Sequence, residues 1–218
     1  MNASISLEEL PSLGEAIKNK KLFNISGKSG TGKTTLAQLI VGKLGLNNGR
    51  VVWIQAHERF PGKRFDHLFG SNSKALKDEI FLIPGTPCRD LDEFLTLINR
   101  IASGDLMLPP NVSFMVIDDI SHHLRFEVGN AHVSEIKFLK NRFYNEIQSL
   151  LFLCFRERIS PIFLHEVSYS PGMGRTVPFC HSIYEKVESL DVFLEKELGQ
   201  DHFTMRVASE RCNYLIEP

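Results

Sequence analysis

The sequence predicts an α/β fold in three layers, with a mostly parallel central sheet covered on both faces by helices and a C-terminal antiparallel extension. Three observations carry this. Apolar runs of strand length alternate with segments of helical period through most of the chain. A glycine-rich run, NISGKSGTGKTTLAQ over residues 24–38, lies at the junction of one such pair. Near the C-terminus the pattern changes to strand-like runs with no helical segment between them. With 218 residues, 43% hydrophobic and 23% charged, the chain is expected to bury one core in a single domain spanning residues 1–218.

Taken in order, Leu22 to Ile25 is a short apolar run closed by Gly27, as a buried strand should be. Ala37, Ile40, Val41 and Leu44 then recur at helical spacing, with Gly45 as the stop. Arg50 to Gln55 is β-branched and aromatic and reads as a second strand. Ile80 to Ile83 is a third, cut off by Pro84-Gly85. Asp90 is placed to cap a helix whose Leu91, Phe94, Ile98 and Ile101 share a face. After the turn at Pro109 and Pro110, Ser113 to Ile117 is the strongest strand signal. A long helix is expected from Ser134 to Arg158, burying Ile136, Phe143, Ile147, Leu150, Leu151 and Cys154. Pro161 to Leu164 is a strand. Leu190 to Lys196, Phe203 to Ala208 and Tyr214 to Ile216 form the antiparallel tail.

A net charge of −1 excludes a global field that would drive the chain onto nucleic acid or anionic lipid, so such a contact needs a local patch. Cys88, Cys154, Cys180 and Cys212 form no CxxC pair and read as buried free thiols rather than a zinc or disulfide framework. The N-terminus lacks the apolar core of a signal peptide, and the longest apolar run, Leu150 to Phe155, is too short to span a bilayer. The expectation is a soluble protein of the cytoplasm, or of the nucleus if the source is eukaryotic, with no membrane partner.

Gly27, Gly32, Lys33 and Thr34 fit G-x-x-x-x-G-K-[ST] between a predicted strand and a predicted helix, which is the context that makes this motif specific. The backbone of Gly27, Lys28, Ser29, Gly30, Thr31 and Gly32 would curl around phosphates, with Thr35 just inside the helix whose N-terminus adds its dipole. Lys33 would reach the β and γ phosphates, and the Thr34 hydroxyl would ligate Mg²⁺. Asp118, at the end of FMVID, supplies the acid that holds the metal's water shell. ATP and Mg²⁺ are therefore the expected cofactors.

The ordered blocks LPSLGEAI, LFNISGKSGTGKTTLAQ, RVVWIQAHERFPGKRF, FMVIDDISHHLRFE, SPIFLHEV and SLDVFLEK resemble the RecA-type recombinases of archaea and eukaryotes. The likeness is greatest to the short archaeal paralogues, RadB, which keep the ATPase core without the N-terminal DNA-binding domain. With about two dozen residues before the glycine run, no such domain is expected there. The resemblance implies a P-loop NTPase fold of RecA type and an accessory role in recombination and repair. It also implies a recombinase or paralogue subunit as partner, weak contact with single-stranded DNA, and an oligomer formed through the nucleotide face.

Residue by residue, the family's catalytic Glu falls on His57, with Glu58 one place later, and Arg64 matches the arginine that packs on adenine. The family's N-Q pair is His165-Glu166, so Glu166 stands where a glutamine senses the γ-phosphate. A histidine lacks the negative charge of the carboxylate it replaces, so hydrolysis is expected to be slow or DNA-dependent. Glu58, Asp119 and Glu166 are the candidate catalytic groups, the alternative being that Glu58 and Asp119 are surface acids. The segment SYSPGMGRTVPFCHS, a loop with Arg175, stands where family members contact DNA, the alternative being a passive connector.

Other constellations are weaker. His122-His123 has no i,i+4 partner for a metal site, and Ser121, His165 and Asp191 lack the nucleophile elbow of a hydrolase. The clusters Lys18, Lys20, Lys21 and Lys63, Arg64 read as solvated faces. A small-molecule kinase would carry an Arg-rich lid where only Arg175 occurs. A non-catalytic adaptor stabilised by its nucleotide is the remaining alternative.

Overall fold

The computed structural model describes residues 19, 22–45, 49–170, 172, 174–179, 187–196, 203–207 and 210–214. The first strand, β1 (Leu22–Gly27), leads through the glycine-rich turn into α1 (Lys33–Ile40), which continues as a π-helical turn over Val41–Gly45. β2 (Arg50–Gln55) is followed by two short helices, α2 (Gly62–Phe69) and α3 (Ser73–Asp78), and by β3 (Ile80–Ile83). Then come α4 (Leu91–Ser103), β4 (Val112–Asp118), α5 (His122–Asn130), the long α6 (Val133–Arg156) and β5 (Ser160–His165). The remainder is strand: β6 (Val167–Ser170), β7 (Arg175–Pro178), β8 (Ser189–Lys196), β9 (Phe203–Val207) and β10 (Glu210–Tyr214).

The main sheet runs β10-β9-β8-β1-β5-β4-β2-β3. Its six strands from β8 to β3 are parallel, whereas β9 and β10 add antiparallel strands at the β8 edge. This is the α/β fold with an antiparallel extension that the sequence predicts. Because side chains alternate across a strand, each central strand feeds two cores. Val52, Ile54, Met115, Ile117 and Phe163 pack with α4 and α6 through Phe94, Ile98, Phe143, Ile147 and Leu150. Val51, Trp53, Phe114, Val116, Ile162 and Leu164 face the other way, onto Leu36, Leu39 and Ile40 of α1. Burial on both faces explains why these strands read as unbroken apolar runs rather than as alternating ones.

Local signals are realised as expected in several elements. Asp90 caps α4, its carboxylate accepting from the Glu93 N–H at 2.8 Å. Cys88 and Cys154 are buried thiols, and burial pushes their pKa values up to about 11 and about 12.

Other expectations are corrected. The long helix starts one residue earlier than read, because His132 and Glu135 form a capping box there, and stops two earlier, short of Arg158 at φ 57°. Ile136 is only partly buried. The segment read as a loop over 168–178 is instead a two-stranded antiparallel ribbon, β6 with β7, in register Val167 to Pro178 through Ser170 to Arg175. The third tail strand is Glu210–Tyr214 rather than Tyr214 to Ile216. The N-terminal residues 1–18, Lys20, Lys21 and Cys180 lie outside the described residues, as do the side chains of Leu44, Arg175 and Cys212.

Candidate functional site

β1 ends and α1 begins at the same end of the sheet where β4 and β5 finish, so the turn between them and the residues after β2, β4 and β5 share one cavity. The cavity is about 340 Å³ and is lined by 29–34, His57, Glu58, Arg64, Asp118, Asp119, His122 and Glu166. Most of the site residues predicted from separate blocks of sequence are thereby brought together, while Gly27, Lys28 and Thr35 are not among the lining residues.

The glycines shape its floor. A Cβ on Gly27 would sit 2.5 Å from the Thr31 hydroxyl and 2.6 Å from the Leu194 carbonyl oxygen of β8, so only glycine lets the turn pass the neighbouring strand. Gly30 and Gly32 hold φ of 77° and 85°, the left-handed region that other residues rarely adopt. The turn is closed by Thr31, whose hydroxyl donates to the Lys28 carbonyl at 2.8 Å. α1 has no side-chain cap and no acid in its first turn, which leaves its N-terminal N–H groups available to an anion. Lys33 is folded back over this turn, its Nζ donating to the Gly27 and Lys28 carbonyls at 3.1 Å each.

Facing the lysine, the Thr34 hydroxyl donates to Asp118 Oδ2 at 2.8 Å across 84 positions of sequence. Burial pushes the Asp118 carboxyl up to about 6, with the neighbouring Asp119 and Glu58 charges adding to it. Burial likewise lowers the pKa of Lys33. Both charged forms are thus poorly solvated as they stand. An anion beside Lys33 and a divalent cation beside Asp118 would relieve both. Thr34 Oγ1 and Asp118 Oδ2 are hard oxygen donors of the kind Mg²⁺ takes alongside phosphate oxygens. The turn, the lysine and this pair therefore fit a Mg²⁺-nucleoside triphosphate.

The remaining candidates occupy distinct places. Glu58 is exposed at the cavity. His57 stacks face to face on His122, ring centroids 3.3 Å apart and planes 8° apart. Burial, then the His57 charge, lowers the His122 pKa to about 4, so that ring is neutral at pH 7. Asp119 is held by Ser121, whose N–H and O–H both donate to Asp119 Oδ1, at 2.8 and 2.7 Å. Arg64, on α2, lies 3.5 Å from Thr35 Oγ1.

His165 and Glu166 diverge. His165 is fully buried, Nε2 lying 3.1 Å from Asn24 Oδ1, and Asn24 in turn donates to Asp191 at 3.0 Å. Ser121, His165 and Asp191 therefore make no triad, since Ser121 serves Asp119 and Asn24 stands between the other two. His123 is also buried, with Nε2 2.6 Å from the Ala56 carbonyl. Among the described residues no three His, Cys, Asp or Glu side chains are grouped to hold a metal ion. Glu166 instead turns to the cavity and forms an ion pair with Arg125 of α5. Arg125 was not legible as a site residue. Its only sequence signal is a place four residues after Ser121 on a short helix, and its partner is 41 positions away.

No protein-family model matches the chain. It is 26% identical over 200 residues to the DNA repair protein RAD57 of Saccharomyces cerevisiae, covering 84% of this chain and 41% of that protein. It is 28% identical over 117 residues to the DNA repair protein rhp55 of Schizosaccharomyces pombe, covering 53% of this chain and 31% of that protein. The chain spans less than half the length of these relatives. Both relatives are named as DNA repair proteins, in agreement with the RecA-type resemblance.

Proposed function

We propose that the chain binds ATP with Mg²⁺ in this cavity and works as a RecA-family recombinase paralogue, an accessory factor in homologous recombination and DNA repair. One observation carries the nucleotide half: the Thr34–Asp118 hydrogen bond sets two oxygen donors in the same cavity as the buried Lys33 and the glycine turn. Likeness to two DNA repair proteins supports the cellular half. Within the superfamily, the block order quoted above favours the short archaeal RadB-like paralogues, with residues 1–218 acting as one ATPase core.

In this reading the backbone of 27–32 and Lys33 hold the phosphates, Thr34 and Asp118 hold the metal, and Arg64 lies against the base. Mg²⁺, when bound, would neutralise phosphate charge and polarise the terminal phosphoryl group. Glu58 or Asp119 would orient the attacking water. Ser121 occupies Asp119 Oδ1, whereas Glu58 is exposed at the cavity and is the better placed, and with His57 in the family's carboxylate position hydrolysis is slow. The partners proposed are a recombinase or paralogue subunit at the nucleotide face and, weakly, single-stranded DNA.

Calorimetric titration with ATP, with and without Mg²⁺, tests the site. Lys33→Ala removes a charge-assisted contact worth about 1.5–3 kcal/mol, so affinity should fall at least about tenfold. Unchanged binding would reject the assignment. Turnover with ATP alone, with single-stranded DNA and with small phosphate acceptors then separates the accessory factor from a kinase or a silent adaptor.

A further inference from the structure

We propose that Arg125 is a second phosphate-binding cation, resting on Glu166 in the nucleotide-free chain and transferring to the terminal phosphate when a nucleoside triphosphate enters. This rests on the nucleotide reading above. It starts from a charge imbalance. Among the cavity's lining residues Lys33 and Arg64 are the cations, against the carboxylates Glu58, Asp118, Asp119 and Glu166. A triphosphate adds further negative charge, and a metal held at Thr34 and Asp118 offsets only part of it. Glu166, on the cavity wall, would stand near the terminal phosphate as a repelling group.

Arg125 is the cation already joined to that wall, through its ion pair with Glu166. Its charge contributes to lowering the pKa of Lys33, after burial, and is felt at Asp119 as well, so it acts on the phosphate-binding lysine and not on Glu166 alone. Hydrogen bonds fix both partners. The Arg125 N–H donates to the Ser121 carbonyl at 2.9 Å, and the Glu166 N–H donates to Ser121 Oγ at 3.3 Å. Ser121 thus holds the two backbones together beside Asp119, while the arginine side chain is held by Glu166 and by the Phe179 ring, whose centroid is 5.9 Å from the guanidinium carbon, both contacts at its tip that a phosphate can replace.

The resting pair is easily exchanged. Its side chains are 34% and 28% exposed, and ion pairs reached by water contribute little. A terminal phosphate carries more charge than a carboxylate and offers the planar guanidinium a two-pronged contact. The alternative is that Arg125 merely screens Glu166.

A double-mutant cycle read by binding separates the two. ATP and ADP affinities are measured by calorimetry, with Mg²⁺, for the wild type, Arg125→Ala, Glu166→Gln and the double variant. ADP affinity and melting temperature report the fold. A direct contact predicts that Arg125→Ala weakens ATP at least about tenfold, leaves ADP nearly unchanged, and keeps that effect in the Glu166→Gln background. Glu166→Gln alone should tighten ATP. If the double variant binds ATP as well as Glu166→Gln does, Arg125 only screens Glu166 and the proposal is wrong. Arg125→Lys, retaining the charge, should recover part of the loss, and no recovery together with an unchanged ATP to ADP ratio would also reject it. Wild-type protein that binds neither nucleotide would overturn the underlying site reading instead, and this proposal with it.

Discussion

His57 stands where the family resemblance places a carboxylate, and the cavity puts it beside Glu58, stacked on a neutral His122. Neither imidazole supplies the negative charge that draws a proton from water. His57→Glu should therefore raise ATP turnover, measured by phosphate release. If the natural protein turns ATP over briskly and Glu58→Gln abolishes this, the catalytic position is Glu58 and not 57. His165 carries a separate prediction. Burial first, and the Lys33 charge second, depress its pKa to about 3. An unfolded histidine titrates near ~6.5. Between these values the unfolded chain binds a proton that the folded chain refuses, so His165 costs stability as pH falls below about 6.5 and costs none at pH 7.5 or above. At pH 5 the loss is on the order of 2 kcal/mol. Thermal melts at pH 7.5 and pH 5 should show a smaller drop for His165→Asn than for wild type. Equal drops would show that His165 titrates normally.

At the scale of elements, α4 illustrates a helix set by its own sequence. Asp90 caps it, Asp92 and Glu93 sit in its first turn, Arg100 in its last, and Gly104 ends it at φ 85°. Asp90→Ala should cost about 1 kcal/mol, read as a lowered melting temperature, with ATP binding untouched because the cap lies outside the cavity. A variant as stable as wild type would show that the side-chain cap is redundant. The β6–β7 ribbon is the opposite case. It reads as a loop because Pro171, Gly172 and Gly174 punctuate it, yet the Phe179 N–H donates to the Glu166 carbonyl at 3.0 Å and its strands pair in register. The turn residues fall between Ser170 and Arg175, and the strands pair on either side of them, which the punctuation alone does not reveal.

For the molecule as a whole, a net charge of −1 gives little long-range attraction to nucleic acid. On the proposed function, binding of single-stranded DNA should be weak and fall steeply with salt. Fluorescence anisotropy at two salt concentrations, paired with pull-down of a host recombinase with and without ATP, checks this. Tight DNA binding that survives high salt, with no recombinase association in either nucleotide state, would favour an independent DNA-binding ATPase over an accessory factor.

Sequence alone was enough for the strands β1 to β5, the cap at Asp90 and the phosphate turn at 27–34. Each is written in contiguous residues, as an apolar run, a helical period or a motif whose backbone geometry glycine alone permits. It also proposed Asp118 as the partner acid, since strand-end placement is a local feature. What lay beyond it depends on residues distant in the chain. The stacking of His57 on His122, the insertion of Asn24 between His165 and Asp191, and the pairing of Arg125 with Glu166 are all settled by which strands lie side by side. His165 and Glu166 are adjacent, yet one turns into the core and the other to the cavity. That divergence follows from the alternation of side chains at the end of β5 and from what packs on each face, and no single-sequence pattern carries the identity of those neighbours.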